Sequence, residues 1–220
     1  MCIPHTWYTV ETDRNDQLQF NCNSANSTAT VPPGTYEVAG LGAAIAKAMS
    51  DAVNSAGALT STYNKLYESI TLSLASTSNR FNVWTDAELK AGNKSAVLNR
   101  SINSLMKNYV SKANDNTSWT SGYIDMIPMR NVYLNCSGLG NFNTMTLNGN
   151  RNVVKKIPVN ANAGDMIFDQ TVTGMDYLDC SSQTLSRLYF RLTDAFGKTV
   201  DLHGNHFTFS IVFSRVQDGS

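Results

Sequence analysis

Two short stretches near the carboxyl end carry the clearest pattern in the chain. Leu188, Phe190 and Leu192 fall on one side of an extended segment, with Tyr189 and Arg191 on the other. Phe207, Phe209, Ile211 and Phe213 likewise share a face opposite Thr208, Ser210 and Ser214. A period of two with one apolar and one polar face marks a strand half-buried in an antiparallel sandwich. Val132 and Leu134, residues 153–159 and residues 166–168 read as further short strands between Gly/Asn-rich turns. Residues 194–198, which include Gly197, predict a turn leading into a strand over 199–202. Strands at roughly ten-residue spacing suit a sandwich or jelly roll. The core expected from this register is Leu188, Phe190, Leu192, Phe207, Phe209, Ile211 and Phe213. In that register Phe209→Asp would bury an unpaired charge and abolish soluble folding.

The first part of the chain mixes periods. Thr6, Tyr8 and Val10 alternate, and Leu18 and Phe20 resume the alternation after a polar turn at residues 13–16. Residues 21–28 are rich in turn formers, and Pro32-Pro33-Gly34 is a strong breaker. A strand is read at residues 36–38. Leu41, Ile45, Ala48, Met49 and Ala52 then fall at helical spacing, with Gly57 as the expected terminator. Ile70, Leu72 and Leu74 alternate, and so do Phe81 and Val83 after residues 76–79, which predicts a β-hairpin. Leu89, Val97, Ile102, Leu105, Met106 and Val110 form a weakly helical pattern broken by Gly92 and several asparagines. Residues 111–122 are polar and read as a linker. The expected fold is therefore mainly β, an antiparallel β-sandwich (jelly-roll-like) with a small N-terminal α/β portion. Its parts are a β-rich module with one helix over 1–85, a weakly helical connector over 86–122, and the sandwich over 123–216.

Composition narrows the function classes. A chain of 220 residues can bury a core without disulfides. Charged residues make up only 15%, well below the usual quarter, and Asn, Ser and Thr supply the polar surface instead. Seventeen basic residues balance seventeen acidic ones, so the basic footprint of a nucleic-acid binder is missing and no such partner is expected. No stretch approaches the roughly 18 apolar residues of a membrane span. The first ten residues lack the basic start and apolar run of a secretory signal. Cys2, Cys22, Cys136 and Cys180 are scattered, as expected of reduced structural thiols in a soluble intracellular chain.

Each candidate for chemistry has a simpler structural reading. Gly40-Leu41-Gly42 at a helix start resembles a dinucleotide fingerprint, but Ile45 occupies the position of the third small residue. Gly197-Lys198-Thr199 resembles the end of a phosphate loop, yet Leu192 stands where the first glycine belongs and a strand follows. His203 and His206 on a strand would point to opposite faces, which disfavours a shared metal ion. Asp165, Asp169, Asp176 and Asp179 match no calcium loop. No catalytic, cofactor-binding or metal-binding residue is assigned.

Two stretches resemble a known family. Ile3-Pro4-His5-Thr6-Trp7, followed by Pro33-Gly34-Thr35-Tyr36 leading into a helix, is similar to the first part of a protein encoded by polinton-type viruses and transposons. The second runs from Arg130-Asn131-Val132-Tyr133 through Lys155-Lys156-Ile157-Pro158-Val159 and Phe190-Arg191-Leu192-Thr193-Asp194 to residues 201–204 and 206–213. The family is the jelly-roll virion proteins of virophages, polinton-like viruses and large DNA viruses, whose members carry an extra stretch before the Pro-His-Thr-Trp segment. The resemblance implies a minor capsid or penton-like protein without catalysis or cofactor. It would be assembled inside the host cell into the virion, with itself and the major capsid protein as partners. A receptor- or glycan-binding sandwich of a viral spike is the alternative, with Trp84, Trp119 and Tyr123 stacking on sugars. A hydrolase built around the histidines, His203 foremost, is a third.

Overall fold

The computed structural model describes residues 1–53, 58–76, 78–109, 117–139, 149, 152–170, 172, 177–180 and 184–214. In chain order the elements are β1 (Cys2–Pro4), β2 (Gln17–Cys22), β3 (Ala25–Thr30), α1 (Val38–Ala52), β4 (Leu59–Asn64), β5 (Ser69–Leu74) and β6 (Phe81–Val83). Then follow α2 (Asp86–Ala91), α3 (Ser95–Leu98), α4 (Asn103–Met106), β7 (Ser118–Thr120), β8 (Asn131–Cys136), β9 (Val153–Pro158), β10 (Met166–Phe168) and β11 (Phe190–Thr193). The protein is mainly β, its sheets are antiparallel, and each is small and unclosed.

Two compact units divide the chain: a central unit, Tyr8–Pro128, and a terminal unit made of Met1–Trp7 and Met129–Ser220. This differs from the expected division at residues 85 and 122. The first seven residues join the C-terminal strands, because β1 pairs antiparallel with β10 and places Ile3 opposite Ile167. Residues 86–109, read as a connector, belong to the central unit. There Ile102, Leu105 and Met106 are buried with the sheet residues, since short helical turns still offer one apolar side.

In the central unit α1 lies against β3, β4 and β5. Its Leu41, Ile45 and Met49 are fully buried at the spacing read from the sequence, each burial stabilising by about 1.5–3 kcal/mol. Ala52 stays exposed and closes the helix, so Val38 opens α1 and the expected strand at 36–38 does not form. Gly57, the expected terminator, and Val110 lie outside the described residues. One sheet has the order β3-β2-β6 and the other β4-β5-β7. The turn between β2 and β3 is only Asn23-Ser24, both with positive φ (49° and 67°), as a two-residue type I′ hairpin requires. The remaining turn-rich residues are strand. The predicted hairpin of residues 70–74 with 81–83 is also replaced. β5 pairs with β4 and β7, and β6 pairs with β2. Alternation shows which face of a strand is buried but not which strand lies beside it.

Of the expected linker, residues 111–116 lie outside the described residues and 118–120 form β7, whose Trp119 is buried in the core. Thr6, Tyr8 and Val10 make no strand, and Val10 has a single bridge to Gly34. Thr85 and Glu88 form a capping box at α2, each satisfying a backbone N–H of the other. Asp16, almost fully buried, takes a bidentate bond from Arg100. That bond fastens the segment after α3 to the start of β2, where Ile102 N–H also reaches Gln17 O at 2.9 Å.

The terminal unit holds the sheet β11-β8-β9 and the pair β1–β10. Val132, Leu134, Ile157 and Leu192 from the first share one core with Ile3 and Ile167 from the second, and Trp7, Met129 and Val200 complete it. The strand expected over 199–202 is reduced to one bridge, Thr193 to Thr199.

Candidate assembly surface

The side chains considered for chemistry are dispersed. Gly42 is buried in α1, and a Cβ there would stand 3.1 Å from Ile70 Cγ2 and 3.3 Å from Ser61 Cβ. Its lack of a side chain serves close helix–sheet contact. Gly197 has φ +82° in a turn where Asp194 Oδ1 accepts from the N–H groups of Phe196 and Lys198, each at 2.9 Å. His203 and His206 are exposed, and His203 Nε2 is 3.9 Å from an Asp201 carboxylate oxygen. Asp165 and Asp179 are exposed, Asp169 pairs with Lys155 at 3.1 Å, and Asp176 lies outside the described residues. Among the described residues no group of three or more His, Cys, Asp or Glu could hold a metal ion. All four cysteines are free, and burial pushes the Cys22 thiol up.

Of the expected core residues, Leu192 is buried, while Leu188, Phe190, Phe207 and Phe209 are half-buried. The Phe209 ring meets Phe190 edge-on at 4.8 Å and stacks on Phe207 at 5.8 Å, covering the core from its margin. Ile211 and Phe213 are not core residues: they are 39% and 64% exposed, and Val212 between them is 87% exposed. The reason lies in the backbone. Thr208 and Cys2 exchange both of their hydrogen bonds, 2.8 and 2.9 Å, and this is the only bridge that residues 207–214 make among the described residues. Without a ladder beyond Thr208, nothing among the described residues covers the following side chains.

The same small sheet has a second open edge. Because Cys2 directs its backbone groups to Thr208, β1 meets β10 through Ile3 and Ile167. The N–H and C=O groups of Met166 and Phe168 therefore face away from β1, where β10 has no neighbouring strand among the described residues. Their side chains are 40% and 60% exposed. Neither Met166–Phe168 nor residues 207–214 contain an ionisable side chain. By contrast β9, an edge of the larger sheet, carries Lys155, Lys156 and Pro158, which blunt strand pairing. Alternation marks 207–213 as a strand, but only the Thr208 bridge forms; residues 166–168 do form the expected strand, and nothing in their sequence marks its outer edge as open.

On the central unit, Leu66 and Tyr67 protrude from the β4–β5 turn, and Tyr123 is exposed. Tyr63 donates its hydroxyl to Glu68, a bond that together with burial raises its phenol above the ordinary value. Trp84 is half-buried and Trp119 is fully enclosed, so Trp119 cannot stack on a ligand.

No protein-family model, no curated protein and no solved structure matches the chain. Among the described residues no helix is long and apolar enough to cross a membrane.

Proposed function

We propose that this chain is a structural component of a DNA virus capsid, a minor capsid or penton-like protein that works by self-assembly and by contact with the major capsid protein. The observation that carries this reading is the uncharged apolar surface of the terminal unit at the open edge of β10, Met166–Phe168, and along the extended residues 211–213. Such edges invite main-chain pairing with another protein surface. The stretches that resemble jelly-roll virion proteins also supply much of this unit's β framework: Ile3-Pro4 in β1, Asn131–Tyr133 in β8, Lys155–Pro158 in β9 and Phe190–Thr193 in β11. A jelly-roll-like sandwich accords with the shared core of Ile3 and Ile167 from one sheet and Val132, Leu134, Ile157 and Leu192 from the other. Low charge suits close packing of identical subunits, since repulsion between neighbours is small. Many modest contacts repeated around a shell then hold through multivalency.

Purification of intact particles tests this. The chain is expected at fixed stoichiometry in washed shells, in the virion assembled within the host cell. Its absence from them would refute the role. A second reading, a receptor- or glycan-binding spike domain, is favoured only by the exposed Tyr67 and Tyr123. Specific retention on a glycan array, lost in Tyr123→Ala, would support it over the first.

A further inference from the structure

We infer that the segment from Phe209 to Phe213 pairs as an antiparallel strand with the outer edge of β10 in a second copy of the chain, joining copies head to tail. This names the partner for the self-assembly proposed above and rests on that reading. Donor and acceptor are both present in one chain but cannot meet within it. Thr208 is bonded to β1 on the side away from β10, so the segment and β10 form opposite edges of one small sheet.

The hydrogen-bonding parity agrees. Thr208 turns its backbone groups toward β1. In a strand continued from it, Phe209, Ile211 and Phe213 turn theirs outward. No residue from 207 to 214 has positive φ, so nothing in their handedness opposes that continuation. On β10 the outward groups belong to Met166 and Phe168. Antiparallel pairing can then set Ile211 opposite Phe168, Val212 opposite Ile167, and Phe213 opposite Met166. Directly opposed residues share a face, so the exposed side chains of Ile211 and Phe213 cover those of Phe168 and Met166. Neither strand carries a charge to desolvate, unlike the lysine-bearing edge at β9. This is β-augmentation, with main-chain bonds giving affinity and alternate side chains giving register. Two different surfaces make the contact heterologous. Successive copies therefore close into a ring when the rotation per subunit divides a full turn.

The test is the solution mass of the full chain by sedimentation, for the parent, Phe213→Pro on the donor and Phe168→Lys on the acceptor. Phe213 and Phe168 are largely exposed, so both variants should retain the parent's circular dichroism. The parent should self-associate. Each variant should raise the half-assembly concentration about tenfold or more, because proline removes a ladder donor and lysine places a charge on the new face. Mixed in equal amounts, the two variants retain one intact junction and should form a one-to-one dimer. Phe213→Lys replaces Phe213→Pro if the proline variant misfolds. A monomeric parent, a Phe213→Pro chain that assembles like the parent, or a mixture that forms no dimer overturns the inference. A monomeric parent still found in washed shells would remove the strand pairing and leave the capsid role. A ring-forming chain absent from shells would do the reverse.

Discussion

Gly40 and Gly42 lie two residues apart in α1, and the same substitution should act in opposite directions at the two sites. Glycine in a helix costs about 1 kcal/mol relative to alanine, so each Gly→Ala change begins with a gain of up to that size. At Gly40 a new Cβ meets only Tyr36 Cδ1 at 3.9 Å, an ordinary contact. Gly40→Ala should therefore stabilise by about 0.5–1 kcal/mol. At Gly42 the Cβ would stand 3.1 Å from Ile70 Cγ2 and 3.3 Å from both Ser61 Cβ and Ser61 Oγ. Ile70 is fully buried and has little room to retreat, so α1 must lift from β4 and β5. Overpacking of this kind costs about 1–3 kcal/mol. Gly42→Ala should fall below Gly40→Ala by that amount, and Gly42→Val should fall further. Urea unfolding of the three variants measures the difference, followed by fluorescence of Trp84 and Trp119, which lie in the same unit as α1. If Gly42→Ala stabilised as much as Gly40→Ala, to within about 0.3 kcal/mol, close helix–sheet approach would not be the reason for that glycine.

Four further outcomes are expected. Phe81→Ala, at a fully buried ring, should cost about 3–5 kcal/mol, whereas Phe209→Ala at the half-buried margin should cost about 1–3 kcal/mol. Phe209→Asp should destabilise the terminal unit yet leave a folded, soluble chain, because its carboxylate can reach solvent, and circular dichroism with a denaturant series checks this. A thiol reagent should label the half-buried Cys2 and Cys180 first and reach the buried Cys22 and Cys136 only on unfolding, read as two well-separated phases. Glu68→Gln should lower the Tyr63 phenol, whose raised value arises first from the hydrogen bond to Glu68 and then from burial. A phenol raised in the folded state contributes stability that is present below its ordinary value, about 10, and is lost as pH rises through its own. Burial also raises the Tyr36 phenol, so phenolate absorbance should show two tyrosines titrating late in the parent, one of which, Tyr63, titrates earlier in the variant.

The sequence alone determined local form wherever a period was long enough to define a buried face. Leu41, Ile45 and Met49 specified α1. Alternation at Leu18 and Phe20, at Ile70–Leu74 and at Val132–Leu134 specified β2, β5 and β8. It also placed the turn at residues 194–198, where Gly197 has positive φ. Only the tertiary structure decided which strands pair. β6 chose β2 over its sequence neighbour β5, β7 brought Trp119 into the core from a polar stretch, and β1 crossed the whole chain to β10. The physical reason is that every strand offers the same backbone donors and acceptors, so alternation sets a face while the neighbour depends on what the rest of the chain leaves open. Residues 207–213 show both halves of this. Their pattern predicts a strand, but the fold keeps only one bridge to β1, at Thr208, and leaves the apolar side chains of 211–213 on the surface.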